Sequence, residues 1–502
     1  MAGREEAAGT GGGDELTLLG VWPSPFVIRA RAALILKGLS YRYVEDDLTS
    51  KSDLLLASNP VHRKVPVLLH GSRPVCESRL ILEYLDEAFP ACGPRLLAGD
   101  PYDRATARFW ASYVDDKLFS TWIPVYNGRT REDRAEAARR VVGVLEEFET
   151  AFQECSGGGA FFGGDGVGLV DVVLGGFLGW LRASEAMCGV RVVDPATTPL
   201  LAAWAGRFGA LDGVREVIPG VERLLEYNRM RRALRGLPRV CYLNAQTVRL
   251  ASPAQRQSKI GLVTSQESVE GNLAMAGKED LKLLGLVVSP FVVRVRMALG
   301  MKGVSYEYVE EDLLSKSELL LASNPVHKKV PVLIHNGKPV CESLVIVQYV
   351  DELFAGPSIL PTDPYERATA RFWAAFVDDK LVPAWIGILK AKTEDERAEK
   401  ATETLAAIGQ VEAGLAELSD GKAFFGGDSI GYLDVVLGSC LFWFEALRRM
   451  HGVGIIDSGR TPLLAAWAER FGESAEAKGV VPGADEAVQY AHKLAAATAA
   501  AK

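Results

Sequence analysis

The stretch Asn59-Pro60-Val61-His62-Arg63-Lys64-Val65-Pro66-Val67-Leu68-Leu69-His70 returns as Asn324-Pro325-Val326-His327-Lys328-Lys329-Val330-Pro331-Val332-Leu333-Ile334-His335. Each ends in an apolar run of strand length. Turn residues Gly71-Ser72-Arg73 and then Pro74-Val75-Cys76 complete a β-hairpin after the first. Upstream, Ser24-Pro25-Phe26 answers to Ser289-Pro290-Phe291; downstream, Val75-Cys76-Glu77-Ser78 answers to Val340-Cys341-Glu342-Ser343, all offset by 265 residues. Past a two-residue deletion near Cys92 the offset is 263, and Asp100-Pro101-Tyr102 meets Asp363-Pro364-Tyr365. So long a period excludes a solenoid. The chain is a duplicated globular protein with two potential sites.

Each copy opens with a β-type run, Leu16 to Val21 or Leu281 to Val288, followed by a helix in which Val27, Ala30, Ala33 and Leu34 recur at helical spacing. Tyr41 to Val44 alternates like a strand. A short Ser/Lys/Leu segment then leads to the hairpin and to a helix from Glu77 to Phe89. The order βαβαββα implies a mixed four-stranded sheet with helices on both faces. After Asp100 the pattern is helical, over Arg104 to Leu118, Glu132 to Phe152, Val170 to Glu185 and Leu200 to Phe208. The expected division is a disordered tail at 1–14, an α/β domain at 15–92, a helical domain at 99–228, a connector at 229–279, and the second pair at 280–356 and 362–494. The connector matches neither copy, is basic at its front (Arg229, Arg231, Arg232, Arg235, Arg239) and lacks a sustained period, so it reads as flexible. Met275-Ala276-Gly277 stands before Leu281 much as Met1-Ala2-Gly3 stands before Leu16, which suggests that a formerly separate protein begins there.

Composition narrows the function classes. The 502 residues allow two units that each bury a core. A net charge of −8 without a basic stripe argues against nucleic acid or an anionic membrane as partner. Met1 to Glu15 lacks the basic and apolar regions of a secretion signal. The most apolar stretch, Val167 to Leu181, is too short to span a bilayer, contains Asp171, and reads as a buried helix. Seven cysteines (76, 92, 155, 188, 241, 341 and 440) form no close pair, as suits a reducing compartment, and six scattered histidines offer no metal-ligand spacing.

Ser24 and Ser289 stand where the first helix of each copy starts, each followed by Pro. A helix cap explains that placement. So does an anion, such as a thiolate, held by a hydroxyl and the positive end of the helix dipole. Neither Ser has a nearby His in a triad-like motif. Val65-Pro66 and Val330-Pro331 begin the third strand; a cis bond there would leave the Val backbone free to pair with a peptide-like ligand. Glu77-Ser78 and Glu342-Ser343 suit either helix capping or recognition of an amino-acid end-group, the carboxylate taking an ammonium. Lys51, Lys64, Lys316 and Lys329 add positive charge along the same edge. Together these residues complement a small zwitterionic, net-anionic peptide.

The combination of SPF, NPVH(R/K)KVPVL and the CES triplet, ahead of an all-helical region, resembles the cytosolic glutathione S-transferases of the plant tau class in both copies. The resemblance implies a thioredoxin-like α/β domain followed by an all-α domain, the pair occurring twice. It implies that Ser24 and Ser289 donate a hydrogen bond to the sulfur of glutathione. By the same likeness Lys51 and Lys64 hold the glycyl carboxylate, Val65 pairs with the cysteinyl backbone, and Glu77 and Ser78 take the γ-glutamyl end. Lys316, Lys329, Val330, Glu342 and Ser343 do so in the second copy. A hydrophobic electrophile would sit between Phe26, Trp110, Tyr113 and Trp180, or between Phe291, Trp373, Phe376 and Trp443. Val287-Val288 replaces Trp22-Pro23, so the second pocket is expected to be wider or differently selective. Asp171 and Asp434 are expected to serve folding. The implied activity is conjugation of the glutathione thiolate to aryl halides or activated alkenes, with attack on hydroperoxide oxygen as a peroxidase side activity, in detoxification and stress response. Glutathione is then co-substrate, with no metal and no other cofactor, in a cytoplasmic protein paired within one chain or as a homodimer. The rival reading is a non-catalytic carrier of apolar metabolites.

Overall fold

The computed structural model describes residues 15–238, residue 242 and residues 280–500. The expected tail at 1–14, Arg239, Cys241, Met275 and the rest of the connector lie outside the described residues. In the first copy, β1 (Leu16–Gly20), α1 (Pro25–Leu36), β2 (Arg42–Glu45), α2 (Asp53–Ser58), β3 (Val67–His70), β4 (Arg73–Cys76) and α3 (Ser78–Ala88) follow in the expected order. The strands lie β2-β1-β3-β4, with β1 parallel to β2 and antiparallel to β3. Every residue of the central strand β1 is buried, because helices cover both faces. Pro74, which lacks a backbone donor, sits on the edge strand β4, where the missing bond costs least. The second copy repeats the sheet as β5 (Leu281–Gly285), β6 (Glu307–Glu310), β7 (Val332–His335) and β8 (Lys338–Cys341), in the order β6-β5-β7-β8.

Gly20 ends β1, and a Cβ there would come 2.5 Å from the Val27 side chain; at Gly285 one would come 2.6 Å from Val292. The absence of a side chain thus lets strand and helix meet closely, and that approach places Ser24 and Ser289 at the sheet's C-terminal edge.

The helical half begins with α4 (Pro101–Tyr113), capped by Asp100. The sequence suggests one helix ending at Leu118, but the chain winds as a π-helix over Val114–Phe119 and continues as α5 (Ser120–Asn127). Then come α6 (Arg131–Cys155), α7 (Leu169–Gly175), α8 (Leu178–Cys188), α9 (Pro199–Phe208), α10 (Val214–Val217) and α11 (Val221–Leu234). The expected single helix over Val170 to Glu185 is therefore two, separated at Gly176 and Phe177. The start of the expected connector also differs. Residues 229–234 complete α11, where Arg232 is buried and donates to the carbonyls of Tyr126 and Gly128 at the end of α5. Basic residues obscured an amphipathic helix because their stems pack while their heads find carbonyls.

The copies lean on each other with the same parts exchanged. Helix α3 packs on Pro364–Phe376, and Ser343–Leu353 packs on α4. Arg108 reaches Glu83 at 3.0 Å and Glu352 at 2.9 Å; its counterpart Arg371 reaches Glu87 at 2.9 Å and the Gln348 amide oxygen at 2.9 Å. Glu83 is buried, yet Arg108 and Arg371 outweigh that burial and hold its carboxyl down at about 2. Val61 packs on the second copy's core, and Val326 on the first's.

Candidate functional site

Ser24 and Ser289 occupy the N-cap positions of their helices, but neither side chain accepts a capping hydrogen bond. The cap reading therefore fails, and both hydroxyls are left without a hydrogen bond among the described residues. Ser24 opens onto a cavity of about 400 Å³ that Lys51, Lys64 and Val65 also line. Both Val65-Pro66 and Val330-Pro331 are cis. The Lys51 ammonium donates to the Arg63 carbonyl at 2.8 Å, and Lys316 donates to that of Lys328 at 2.9 Å, so each lysine is tied to the loop beside its Val-Pro step.

Glu77 and Glu342 lie at φ 69°, a left-handed pose that few side-chain-bearing residues adopt and that tends to persist at ligand sites. Neither Glu77 nor Ser78 lines the 400 Å³ cavity. Glu77 accepts from His62 Nδ1 at 2.7 Å, whereas His327 Nε2 stands 3.8 Å from Glu342. The two carboxyls titrate oppositely. Burial pushes Glu77 up, but the His62 hydrogen bond, the His62 charge and Lys64 outweigh it and bring the carboxyl below its usual value. Burial pushes Glu342 up, Lys329 opposes, and Asp116 and Asp378 reinforce the rise, so it ends above.

The Ser78 hydroxyl accepts from buried Arg29, which also grips Asp115 at 2.7 Å; Arg294 joins Ser343 at 3.4 Å to Asp378 at 2.8 Å. This link ties the sheet domain to the helical domain directly under the Glu-Ser pair. The sequence reading missed it. A signal existed, since Val-Asp-Asp-Lys-Leu occurs identically at 114–118 and 377–381, inside an apolar run. The π-helical winding there turns Asp115 and Asp378 toward the arginines.

The aromatic expectations divide. Phe26 and Trp180 line the cavity, and the Trp180 indole N–H donates to the Pro23 carbonyl at 2.7 Å. Trp443 repeats that bond to Val288 at 2.8 Å, and Phe291 lies under the Arg294 guanidinium. Trp110 and Tyr113 do not line the cavity. They pack on Phe148, and Tyr113 faces His327 of the other copy. Trp373 and Phe376 likewise pack together, with Phe376 stacked on His62. Helical spacing gave one face of α4 correctly but not which neighbour that face meets. The walls missed are Phe119, Trp122 and Tyr126 from the π-helical turn and α5, and Tyr227 from α11.

Two other groups stay outside the chemistry. Cys76 and Cys341 are pushed up to about 12, by burial and then by the adjacent glutamate, and remain thiols at neutral pH. Asp171 accepts from the N–H groups of Phe162, Gly163 and Gly168 and from the Trp204 indole, as Asp434 does from its counterparts, so both serve folding. No group of three or more potential metal ligands occurs, and no helix is long and apolar enough to cross a membrane, among the described residues.

Residues 18–95 and 279–352 match the family models for the glutathione S-transferase N-terminal domain, and residues 131–207 and 394–470 match that for the C-terminal domain. The chain is 56% identical over 227 residues to "Probable glutathione S-transferase GSTU6" of Oryza sativa subsp. japonica, spanning 44% of this chain and 96% of that protein. It is 49% identical over 219 residues to glutathione S-transferase U15 of Arabidopsis thaliana, spanning 43% and 94%. Among solved structures it is similar to the tau-class glutathione S-transferase of mango, Mangifera indica, at 48% identity, TM-score 0.42, covering 43% of this chain and 98% of that one. A rice GST solved in complex with glutathione is 43% identical, at TM-score 0.41, covering 44% and 99%.

Proposed function

The chain belongs to the glutathione S-transferase family, tau class, and from that premise we propose how each copy performs the family's reaction. The chain conjugates the glutathione thiolate to hydrophobic electrophilic small molecules. The observation that carries the assignment of residues is a hydroxyl at a helix start, without a capping bond, facing an aromatic cavity beside two lysines. Ser24 and Ser289 donate to the glutathione sulfur and do not themselves attack. A free thiol titrates near roughly 8.5. The hydroxyl and the N-terminal end of a twelve-residue helix both favour the thiolate, so its concentration at neutral pH rises.

Lys51 and Lys64, or Lys316 and Lys329, neutralise the glycyl carboxylate. Val65 or Val330 pairs with the cysteinyl backbone. Glu77 or Glu342 takes the α-ammonium, and Ser78 or Ser343 the α-carboxylate of the γ-glutamyl end. Phe26 and Trp180, with Phe291 and Trp443 in the second copy, wall the acceptor site. With both substrates held, proximity contributes much of the rate. Aryl halides and activated alkenes are the acceptor classes; a hydroperoxide is instead reduced to its alcohol and water as two glutathiones become the disulfide. Glutathione enters as co-substrate, and this chemistry needs neither metal nor prosthetic group. We place the protein in the cytoplasm, a reading that the six unpaired cysteines among the described residues support. The copies pair within one chain. In support, Arg104, Arg108, Arg367 and Arg371 face Glu83, Glu87 and Glu352 across the junction, and Gln348 stands where a fourth Glu would complete the set. Two second copies paired together would lack two carboxylates.

The test is conjugation of glutathione to 1-chloro-2,4-dinitrobenzene by the full chain. Ser24→Ala and Ser289→Ala each remove one site's share, and the double change lowers kcat/KM by about 100-fold, the usual cost of a lost hydrogen bond to reacting charge. Full activity in the double variant would overturn the hydroxyl's role. Binding of apolar dyes by a parent protein that conjugates nothing would return the carrier.

A further inference from the structure

The first copy's cavity is aromatic at its base and cationic at its mouth. Tyr227 forms part of the wall, and one and two turns further along the same face of α11 come Arg231 and Arg235. One turn back, the Arg223 guanidinium lies 3.9 Å from the Trp22 ring centroid, and Trp22 meets Tyr227 edge-on at 5.5 Å. The stripe is thus built onto the cavity and does not simply point to solvent. Arg235 donates to the Asn127 amide oxygen at 3.0 Å. Arg231 is half-buried, and its guanidinium has neither ion pair nor hydrogen bond among the described residues. Nearby Asp47 is exposed and engaged by Thr49. No carboxylate lines the cavity among the described residues.

Glutathione does not use up this charge. On the reading above, Lys51 and Lys64 answer its glycyl carboxylate, and the Glu-Ser pair answers its other end. Arg231 and Arg235 are left facing the space for the second substrate. A guanidinium at the rim of an aromatic pocket recognises carboxylate or sulfonate by paired, charge-assisted hydrogen bonds. We infer that the first copy selects hydrophobic electrophiles that carry an anionic group, with Arg231 and Arg235 as specificity-determining residues. The second copy takes neutral ones. In its final helix, Ala484–Ala500, the corresponding sequence positions are Glu486, Tyr490, Leu494 and Thr498, and Val287 replaces Trp22. The inference rests on the cavity being the acceptor site of a glutathione transferase.

Two aryl chlorides differing in charge test it, 4-chloro-3,5-dinitrobenzoate and 1-chloro-2,4-dinitrobenzene. In each the thiolate sulfur bonds the ring carbon bearing chlorine, chloride leaves with the C–Cl electron pair, and the thiol proton passes to solvent. Full-length Ser289→Ala reports the first copy and Ser24→Ala the second. The anionic-to-neutral ratio of kcat/KM is expected to be at least tenfold higher for the first copy. Arg231→Leu with Arg235→Ala should lower that ratio at least tenfold; Arg231→Lys with Arg235→Lys should restore most of it, and Leu494→Arg should raise the second copy's ratio. Equal ratios in the two copies overturn the inference. So does a loss with both acceptors that resides in the KM for glutathione, since the arginines would then hold the tripeptide. If both acceptors are conjugated at the parent rate without either serine, the failure lies in the thiolate assignment instead.

Discussion

Glu77 and Glu342 share a backbone pose, a preceding Cys and a following Ser, yet burial and charge move their carboxyls in opposite directions. The hairpin and helix start fix where the carboxylate stands, and groups from other elements decide how readily it holds its charge. Around Glu77 those groups are His62, Lys64 and Arg29. Around Glu342, Lys329 and Arg79 oppose Asp116 and Asp378, and His327 stands too far away to donate. His327 itself is held down at about 4 by burial, Lys329 and Lys117, so near neutral pH it brings no charge. Two near-identical loops therefore present a firm anion in one copy and a softer one in the other.

The largest effect expected from an asymmetry between copies concerns the junction. Arg108→Met removes the hydrogen-bonded arginine of buried Glu83, leaving it only Arg371 at 3.6 Å, and loosens Glu352, and should cost about 3–5 kcal/mol. Arg371→Met should cost less, because its other partner is the neutral amide of Gln348 and Glu83 keeps Arg108. Urea midpoints of the full chain measure both, and equal losses would erase the distinction. Glu83, depressed in the folded protein to about 2, contributes stability that is complete above the ordinary glutamate range near roughly 4.3 and is lost as pH falls toward that lower value.

Next in size is the histidine contrast. His62→Ala should raise the glutathione KM of the first copy about tenfold, the worth of one charge-assisted bond that positions Glu77. His327→Ala should change the second copy by less than about twofold, since no such bond is made there. The pH profile sharpens the point. Binding an ammonium requires the carboxylate, and Glu342 is held above its ordinary value while Glu77 is held below, so as pH falls from neutrality the second copy's KM should rise first. His62→Ala should move the first copy's profile toward the second's. A simultaneous rise in both parent copies would break the comparison.

The smallest expected effect crosses the junction. His62 rests on Phe372 at 5.1 Å between ring centroids, so Phe372→Ala in the second copy should raise the first copy's glutathione KM about two- to threefold. Aromatic contacts of this kind are worth about 0.5–1.5 kcal/mol. A kinetic change confined to the second copy would show that the contact does not steady the histidine.

The succession of strands and helices in each sheet domain was legible because the repeat printed each strand twice and turn residues bounded the hairpins. That Ser24, Lys64 and Val65 meet at one cavity was legible because they fall within two short motifs, whereas Lys51 lies outside both and was placed there by its charge. Arg29 and Asp115 were not, since their partnership joins α1 to a π-helical turn 86 residues away. Arg231 escapes the sequence because the basic end of α11 reads as connector, and Tyr227 because no helix is expected beyond Phe208. Trp110 and Tyr113 illustrate the opposite error: the residue type suggested a ligand wall, while the direction of α4 turned them toward α6 and the neighbouring copy.

Histidine loops that reach across the junction in both directions have a consequence for how such a protein is made. Val61 and His62 settle on the second copy, and Val326 and His327 on the first. A single translated strand delivers these mates in equal number and at high mutual concentration. It thereby forgoes the shuffling of kindred subunits by which separately encoded partners generate mixed assemblies.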